Sequence, residues 1–332
     1  MTANRRWRLA RLPGEVLRKD DFALDAIPVR APAEGEVQLR TRFLSLDPYQ
    51  RSWMAGAPNY GPVVQAGDVP IARAISEVLD SRDARFAPGD VVLGETGWQS
   101  HPTVTGDKLQ KLDASLGPLS TFVGVLGSPG LTAWVGIQDH CRPKAGETVL
   151  VSAAAGAVGS VAGQLALMRG ARVVGIAGAP DKCRRVVEEL GFAACVSHRG
   201  DDFRARLAAA CPEGIDAYFD NTGGPVTAAA WSLLRRDARV ALCGLVAEYA
   251  LADAPGPNMK YLLSNQATVT GFSVRRNIHR MGEYRMQASA WVREGKLRYA
   301  EDITEGLENA PAAFDGLLAG RTFGKCLVKV SG

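Results

Sequence analysis

The run Glu147-Thr-Val-Leu-Val-Ser-Ala-Ala-Ala-Gly-Ala-Val-Gly-Ser-Val-Ala-Gly-Gln-Leu-Ala-Leu-Met168 sets an apolar segment, a turn of small residues and a helix-forming segment in direct succession. Ala154, Gly156 and Gly159 follow a G-x-G-x-x-G spacing with Ala in first place, which keeps the chain thin along Gly156, Ala157, Val158 and Gly159. A helix beginning near Val158 turns its unpaired N–H groups toward that bend, and together they can hold a pyrophosphate. Small residues also let any helix pack closely on a strand, so the spacing alone does not decide. Val149-Leu150-Val151 reads as the strand before the turn and Arg172-Val-Val-Gly-Ile-Ala177 as the next parallel strand, completing a βαβ unit. That context points to a dinucleotide site.

The end of the second strand selects the dinucleotide. NAD enzymes usually place Asp or Glu there to hold the ribose hydroxyls. Ile176-Ala-Gly-Ala-Pro-Asp-Lys-Cys-Arg-Arg185 instead offers small residues followed by Lys182, Arg184 and Arg185, which suit a ribose 2′-phosphate and hence NADPH. Asp181 is expected as a helix N-cap. A solvated helix face is the alternative use of these basic residues.

The elements that must position this site divide the chain in two. Residues 1–125 carry short β-like runs broken by Pro and Gly, such as Glu36–Leu44 and Pro88–Gly94, and read as a partly closed β-structure. Residues 126–299 alternate strands with helical segments. The strands are expected at Thr148–Ser152, Arg172–Ala177, Ala194–Ser197, Ala217–Asn221 and Arg239–Leu245, as in a doubly wound parallel sheet of Rossmann type. A helical stretch around Tyr284–Gly295 follows, and residues 300–332, ending in Gly324–Val330, return to extended pattern and should rejoin the first domain. Asp253–Asn258 belongs to a long loop.

At 332 residues and 46% hydrophobic content the chain can bury two cores. A net charge of +4 with scattered basic residues does not imply nucleic acid. No run of eighteen apolar residues or signal-like segment occurs, so no membrane role is expected and the cytoplasm is the expected compartment. The six cysteines are widely spread without a C-x-x-C pair, and four histidines are too few to assist them, so no structural metal is expected.

Five blocks, Leu44-Ser-Leu-Asp-Pro-Tyr-Gln-Arg51, Gly127-Ser-Pro-Gly-Leu-Thr-Ala-Trp134, Ala153–Ser160, Gly214-Ile-Asp-Ala-Tyr-Phe-Asp-Asn-Thr-Gly-Gly224 and Gly306–Phe314, occur in an order that resembles one group of enzymes. These are the zinc-independent medium-chain dehydrogenases/reductases that include prostaglandin reductases, leukotriene hydroxydehydrogenases, curcumin reductases and plant double-bond reductases. The resemblance implies an α/β Rossmann domain beside a GroES-like, mostly β catalytic domain. It implies NADPH-dependent reduction of the C=C bond of α,β-unsaturated ketones or aldehydes, and a homodimer. It carries over Gly156–Gly159 for the pyrophosphate, Lys182 for the 2′-phosphate, Asn221 beyond the fourth strand, Cys243, Gly244 and Tyr249 lining the cofactor, and Phe272, Ser273 and Val274 beside the nicotinamide. The chain departs from the family at three contacts and at Ala72-Arg-Ala-Ile-Ser-Glu77, which stands where relatives have a more glycine-rich turn in the wall of the substrate pocket. His198 and Arg199 follow Ser197 where relatives often have Tyr, and either could replace that contact by stacking or by charge; Thr322 stands for an Asn before Phe-Gly-Lys, and Met259 follows Asn258 where relatives have Tyr.

Such a reduction needs a hydroxyl near the developing enolate oxygen and a proton for the α-carbon. Tyr49 and Tyr249 are the protein candidates; Tyr49 could equally tie a turn to the core, and Tyr249 could be an exposed loop aromatic. Arg51, Trp53 and Tyr60 could shape an entrance, whereas His101, His140 and His279 show no ligand spacing. Two alternatives remain open here: a quinone oxidoreductase, and a non-catalytic NADPH-binding module.

Overall fold

The structure is a computed structural model and describes residues 3–54, 62–249, 251 and 256–331. Tyr60, and part of the loop expected at Asp253–Asn258, lie outside the described residues. The chain divides into two compact units, Met1–Val123 with Glu301–Gly332, and Gly124–Ala300.

In chain order the first unit opens with β1 (Ala3–Leu9), β2 (Phe22–Pro28), β3 (Glu36–Ser45), the short helix α1 (Tyr49–Trp53), β4 (Arg73–Ser81), β5 (Val91–Glu95), β6 (Thr103–Thr105) and β7 (Leu109–Lys111). The second holds α2 (Ser128–Val135), β8 (Thr148–Val151), α3 (Gly159–Leu167), β9 (Arg172–Ala177), α4 (Pro180–Leu190), β10 (Ala194–Ser197), α5 (Phe203–Ala210), β11 (Ile215–Asp220), α6 (Gly224–Trp231), β12 (Leu234–Leu242), α7 (Lys260–Asn265), β13 (Thr268–Gly271) and α8 (Met281–Arg293). The chain then returns to the first unit through β14 (Glu301–Glu305), α9 (Ala310–Leu318) and β15 (Lys325–Lys329).

In the first unit the sheet runs β14-β15-β3-β4-β5-β7, with β6 also on β3, and β1 pairs with β2. β15 lies antiparallel to β3, with Leu327 opposite Ser45, so the C-terminal strand completes a sheet begun by the N-terminal segment. Its core is an aromatic chain: Phe22 stacks on Trp98 at 5.3 Å, and Trp98 meets Phe314 of α9 edge-on at 5.5 Å. Such pairs contribute beyond their buried area.

In the second unit six parallel strands run β10-β9-β8-β11-β12-β13. Numbered by appearance this is 3-2-1-4-5-6, the doubly wound order, with its switch point between β8 and β11. β8 is buried at every residue, which is why its sequence is a continuous apolar run rather than an alternating one. Leu150, Val174, Ile176, Tyr218 and Val240 bury one sheet face against Val226, Ala230 and Trp231 of α6 and Leu207 of α5.

Three expectations need correction. β12 begins at Leu234 and ends at Leu242, not at Arg239 and Leu245, because its exposed start Arg235-Arg-Asp237 is charged and hides the strand pattern. β13 has no counterpart among the expected strands, since Thr-Val-Thr-Gly at a sheet edge needs no apolar alternation. Asp181 is not an N-cap: Ala179 is, and Asp181 sits inside the first turn of α4.

Candidate functional site

The turn leaving β8 stands at the switch point. Ala153 takes a left-handed φ of 47°, the one sharp reversal in the bend, and its carbonyl accepts from Gly156 N at 2.9 Å. α3 then starts so close to that turn that a β-carbon on Gly159 would lie 2.3 Å from the Ala153 oxygen. Real β-carbons do not approach that near, so glycine is required there. At Gly156 a β-carbon would lie 3.2 Å from the same oxygen, tight but the one near contact. Gly156, Ala157 and Val158 keep partial exposure while Ala154, Ala155 and Gly159 are buried. A thin, open bend therefore lies at the N-terminus of a nine-residue helix that has no side-chain cap, the arrangement a pyrophosphate fits.

One strand over, β9 ends in Ala177 and Gly178. Of the basic residues that follow, Arg184 is exposed, and Arg185 is held by Glu189 at 2.6 Å. Lys182 differs from both: it is 8% exposed. A lysine is rarely so buried, and that sets Lys182 apart from the solvated helix face that sequence left open. Beside it, a β-carbon on Gly178 would lie 3.5 Å from His198 Nε2 and 3.8 Å from an Arg199 terminal nitrogen. Ser197 Oγ donates to the Gly178 carbonyl at 3.1 Å, and His198 N to Ala177 O at 3.0 Å. The end of β10 is thereby tied to the end of β9, with two nitrogen-bearing side chains over Gly178. His198 and Arg199, the two alternatives for the place of the family's tyrosine, therefore both lie over Gly178.

The end of β11 is built from a hub that sequence reading missed. Asp220 is fully buried and accepts from Tyr218 Oη at 2.9 Å, Ser152 Oγ at 3.2 Å, Thr227 Oγ1 at 2.5 Å, and the backbone of Thr222 and Gly223 at 2.9 and 3.2 Å. Many donors on one carboxylate offset the cost of burying it. Asn221 donates from Nδ2 to Ser152 O at 2.7 Å and accepts from Cys243 Sγ at 3.0 Å. Its amide therefore locks β8, β11 and β12 together at their carboxyl ends. Burial, reinforced by Asp220, pushes the Cys243 thiol up, so it stays protonated and able to donate.

From this hub hangs the loop after β12. Val246 N bonds Asn221 O and Ala247 N bonds Thr222 O, at 3.2 and 2.9 Å, while Glu248 Oε1 accepts from Gly224 N at 2.7 Å. The loop brings Tyr249 back over Gly244, where its hydroxyl would lie 3.4 Å from a β-carbon. Tyr249 is half-buried, not the exposed aromatic that was the alternative.

Phe272 spends its ring on packing. It meets His140 at 4.7 Å and Phe219 at 6.3 Å, and bonds Leu242 O through its backbone N–H. Ser273 is exposed and its hydroxyl accepts from Arg275 N at 3.3 Å; Val274 beside it is half-buried.

Tyr49 and Thr322 belong to the first unit. Tyr49 opens α1, half-buried, with its ring 4.7 Å from Trp53. Thr322 is half-buried just before β15. Arg51 and Trp53 do not form a rim: both are buried, Trp53 in the aromatic core and Arg51 with a guanidinium nitrogen on Gly14 O. Among the described residues no three of His, Cys, Asp and Glu gather as metal donors.

Two family profiles match the chain, each within one of the two units. The family profile for the N-terminal domain of oxidoreductase matches residues 5–112, and that for zinc-binding dehydrogenase matches residues 157–291. The chain is 44% identical to the NADPH-dependent curcumin reductase of Escherichia coli (strain K12), over 99% of this chain and 97% of that one. It is 39% identical to prostaglandin reductase 1 of Bos taurus, covering 93% and 94%. The crystal structure of CurA in complex with NADPH from Vibrio vulnificus is 40% identical and superposes with a TM-score of 0.94 over 99% of each chain.

Proposed function

The chain belongs to the medium-chain dehydrogenase/reductase family, in the branch of the curcumin and prostaglandin reductases, and from that premise we propose that it reduces the C=C bond of α,β-unsaturated ketones and aldehydes with NADPH. The observation that carries this reading is the buried Lys182 at the end of a strand that offers no acid, next to an open glycine turn at the switch point.

When bound, NADPH supplies the hydride that goes to the substrate β-carbon. The chain's own residues bind and orient. Gly156, Ala157, Val158 and Gly159 take the pyrophosphate against the N-terminus of α3. Lys182 takes the 2′-phosphate, with His198 flanking the adenosine side. Asn221, with Asp220 behind it, fixes the loop through Cys243, Gly244 and Tyr249. Ser273 and Val274 offer backbone and Thr322 a hydroxyl to the cofactor; Phe272 serves by packing. Tyr49 and Tyr249 are the hydroxyls assigned to the enolate oxygen and to α-carbon protonation. Gly124–Ala300 is the cofactor domain and the other unit the GroES-like catalytic domain.

Among the described residues β13 has β12 as its one neighbour, so its outer hydrogen-bonding edge is open there. Leu263 of α7, just before it, is 83% exposed and Met259 65%. These support a homodimer formed across that edge. No helix among the described residues is long and apolar enough to cross a membrane. We assign the protein to the cytoplasm, where NADPH is regenerated and thiols stay reduced.

The test mixes the protein with NADPH and 4-phenyl-3-buten-2-one and follows the cofactor's near-ultraviolet absorbance, with product analysis. A saturated ketone is the expected product. An alcohol, or absorbance that persists with every enone tried, overturns the reading.

A further inference from the structure

Two thiols meet beneath the end of β9. Cys183 lies in the first turn of α4, one residue beyond the buried Lys182, and is 7% exposed; Cys195 lies in β10 opposite Gly175 of β9 and is half-buried. The missing side chain at Gly175 makes room for the pair. A β-carbon there would lie 3.1 Å from Cys195 Sγ and 2.9 Å from Ala154 Cβ, so the sulfur occupies space bordered by the first small residue of the pyrophosphate turn. α4 packs on β9 and β10 and brings Cys183 to that space, where its side chain contacts the Cys195 thiol. Neither cysteine is in a disulfide.

We propose that Cys183 and Cys195 are a reversible redox pair whose disulfide weakens the adjoining 2′-phosphate pocket. The Cys195 contact holds the Cys183 thiol below its ordinary range against the opposing effect of burial, and the same contact plus burial pushes Cys195 up. Cys183 is thus the sulfur that ionises, aided by its place in the first turn of a helix, and Cys195 keeps its proton. The oxidant is a peroxide. The Cys183 thiolate forms an S–O bond as the O–O bond breaks, giving a sulfenic acid and, with a proton, water. The Cys195 sulfur then attacks Cys183; the S–S bond forms, the S–O bond breaks, and the departing hydroxide takes the Cys195 proton as water. Two electrons pass from the two thiols to the peroxide, and a small dithiol returns them.

Closing from contact to an S–S bond of about 2.05 Å draws the first turn of α4 toward β10, and Lys182 precedes Cys183 directly. The effect on affinity rests on the reading of Lys182 as a phosphate ligand; the cross-link does not.

The two are therefore measured separately on the full chain. Trypsin cuts after Lys182, Arg185 and Arg199, so the two cysteines leave in different peptides. Hydrogen peroxide should remove two of the six thiols counted in denaturant, join the Cys183 and Cys195 peptides, and be reversed by dithiothreitol. All six thiols surviving, or a bond between another pair such as Cys141 and Cys243, overturns the proposal. The NADPH dissociation constant should rise at least several-fold in the oxidised protein and recover on reduction, while Cys195→Ala binds NADPH equally before and after peroxide. A cross-link without change in affinity overturns the coupling. A failure of the Lys182 reading shows itself separately, as a reduced protein without preference for NADPH over NADH.

Discussion

Asn221 and Ser152 are joined twice across the ends of β11 and β8: Asn221 N donates to Ser152 Oγ at 2.8 Å, and Asn221 Nδ2 to the Ser152 carbonyl at 2.7 Å. Both of that side chain's polar atoms are committed, the second to Cys243 Sγ. In the proposed function, Asn221 therefore acts on the cofactor through the loop that it holds. Asn221→Ala leaves a buried carbonyl and thiol without partners, and should lower stability by about 1–3 kcal/mol. It should raise the Michaelis constants for NADPH and NADH by the same factor. Denaturant melts and paired cofactor titrations check both; a change confined to NADPH would contradict the assignment.

Lys182→Ala should raise the NADPH Michaelis constant roughly 10- to 100-fold, the size expected from losing a charge-assisted phosphate contact, and leave the NADH value nearly unchanged. Steady-state kinetics with both cofactors decide it. Arg184→Ala, on an exposed residue two positions on, is the control and should change neither.

The two turn glycines should separate. Gly159→Ala puts a β-carbon into the Ala153 backbone and should destabilise the fold by about 1–3 kcal/mol while abolishing cofactor binding. Gly156→Ala, with one contact at 3.2 Å, should fold with near-normal melting yet bind NADPH more weakly. Calorimetric melts against affinity distinguish the two outcomes.

Removing the hydroxyl of Tyr249 should lower kcat on the order of 100-fold with little change in the NADPH Michaelis constant, as for loss of a positioned proton donor. Tyr49→Phe is the paired variant. If neither variant slows turnover in rapid-quench experiments, the α-carbon takes its proton from another source.

In the first unit, burial raises the Glu301 carboxyl above its ordinary range, although Ser120 and Lys325 oppose the shift, and its Oε1 is buried without a hydrogen-bond partner. A raised folded-state value favours the protonated form. The stability it contributes is fully present below the ordinary carboxylate pKa of about 4.3 and is lost as pH rises through the folded value. Glu301→Gln, which keeps the shape without the charge, should raise Tm at about pH 8 and change it little at about pH 4. An equal shift at both pH values would remove the titration from the explanation.

The parallel-sheet unit is legible in sequence because its signals are local. Val149–Val151, the small-residue turn and Arg172–Ala177 lie within one βαβ unit, where period and spacing carry the information. What escaped was set by distant partners. Arg51 and Trp53 look like surface loop residues until α1 is packed on the core of the first unit. Asp220 gives no hint in sequence that five donors converge on it, four of them from hydroxyls and N–H groups close in chain and one from Ser152 on another strand. β12 was misjudged because Arg235–Asp237 are exposed charges and its register shifts at Ala217.

The pairing of Leu327 with Ser45 fixes an order of events during synthesis. Every strand of the parallel sheet, Thr148 through Gly271, leaves the ribosome before β15 exists. The parallel-sheet unit can thus assemble on the nascent chain, while the unit that holds β3 must wait, that edge of β3 unpaired, until β15 emerges.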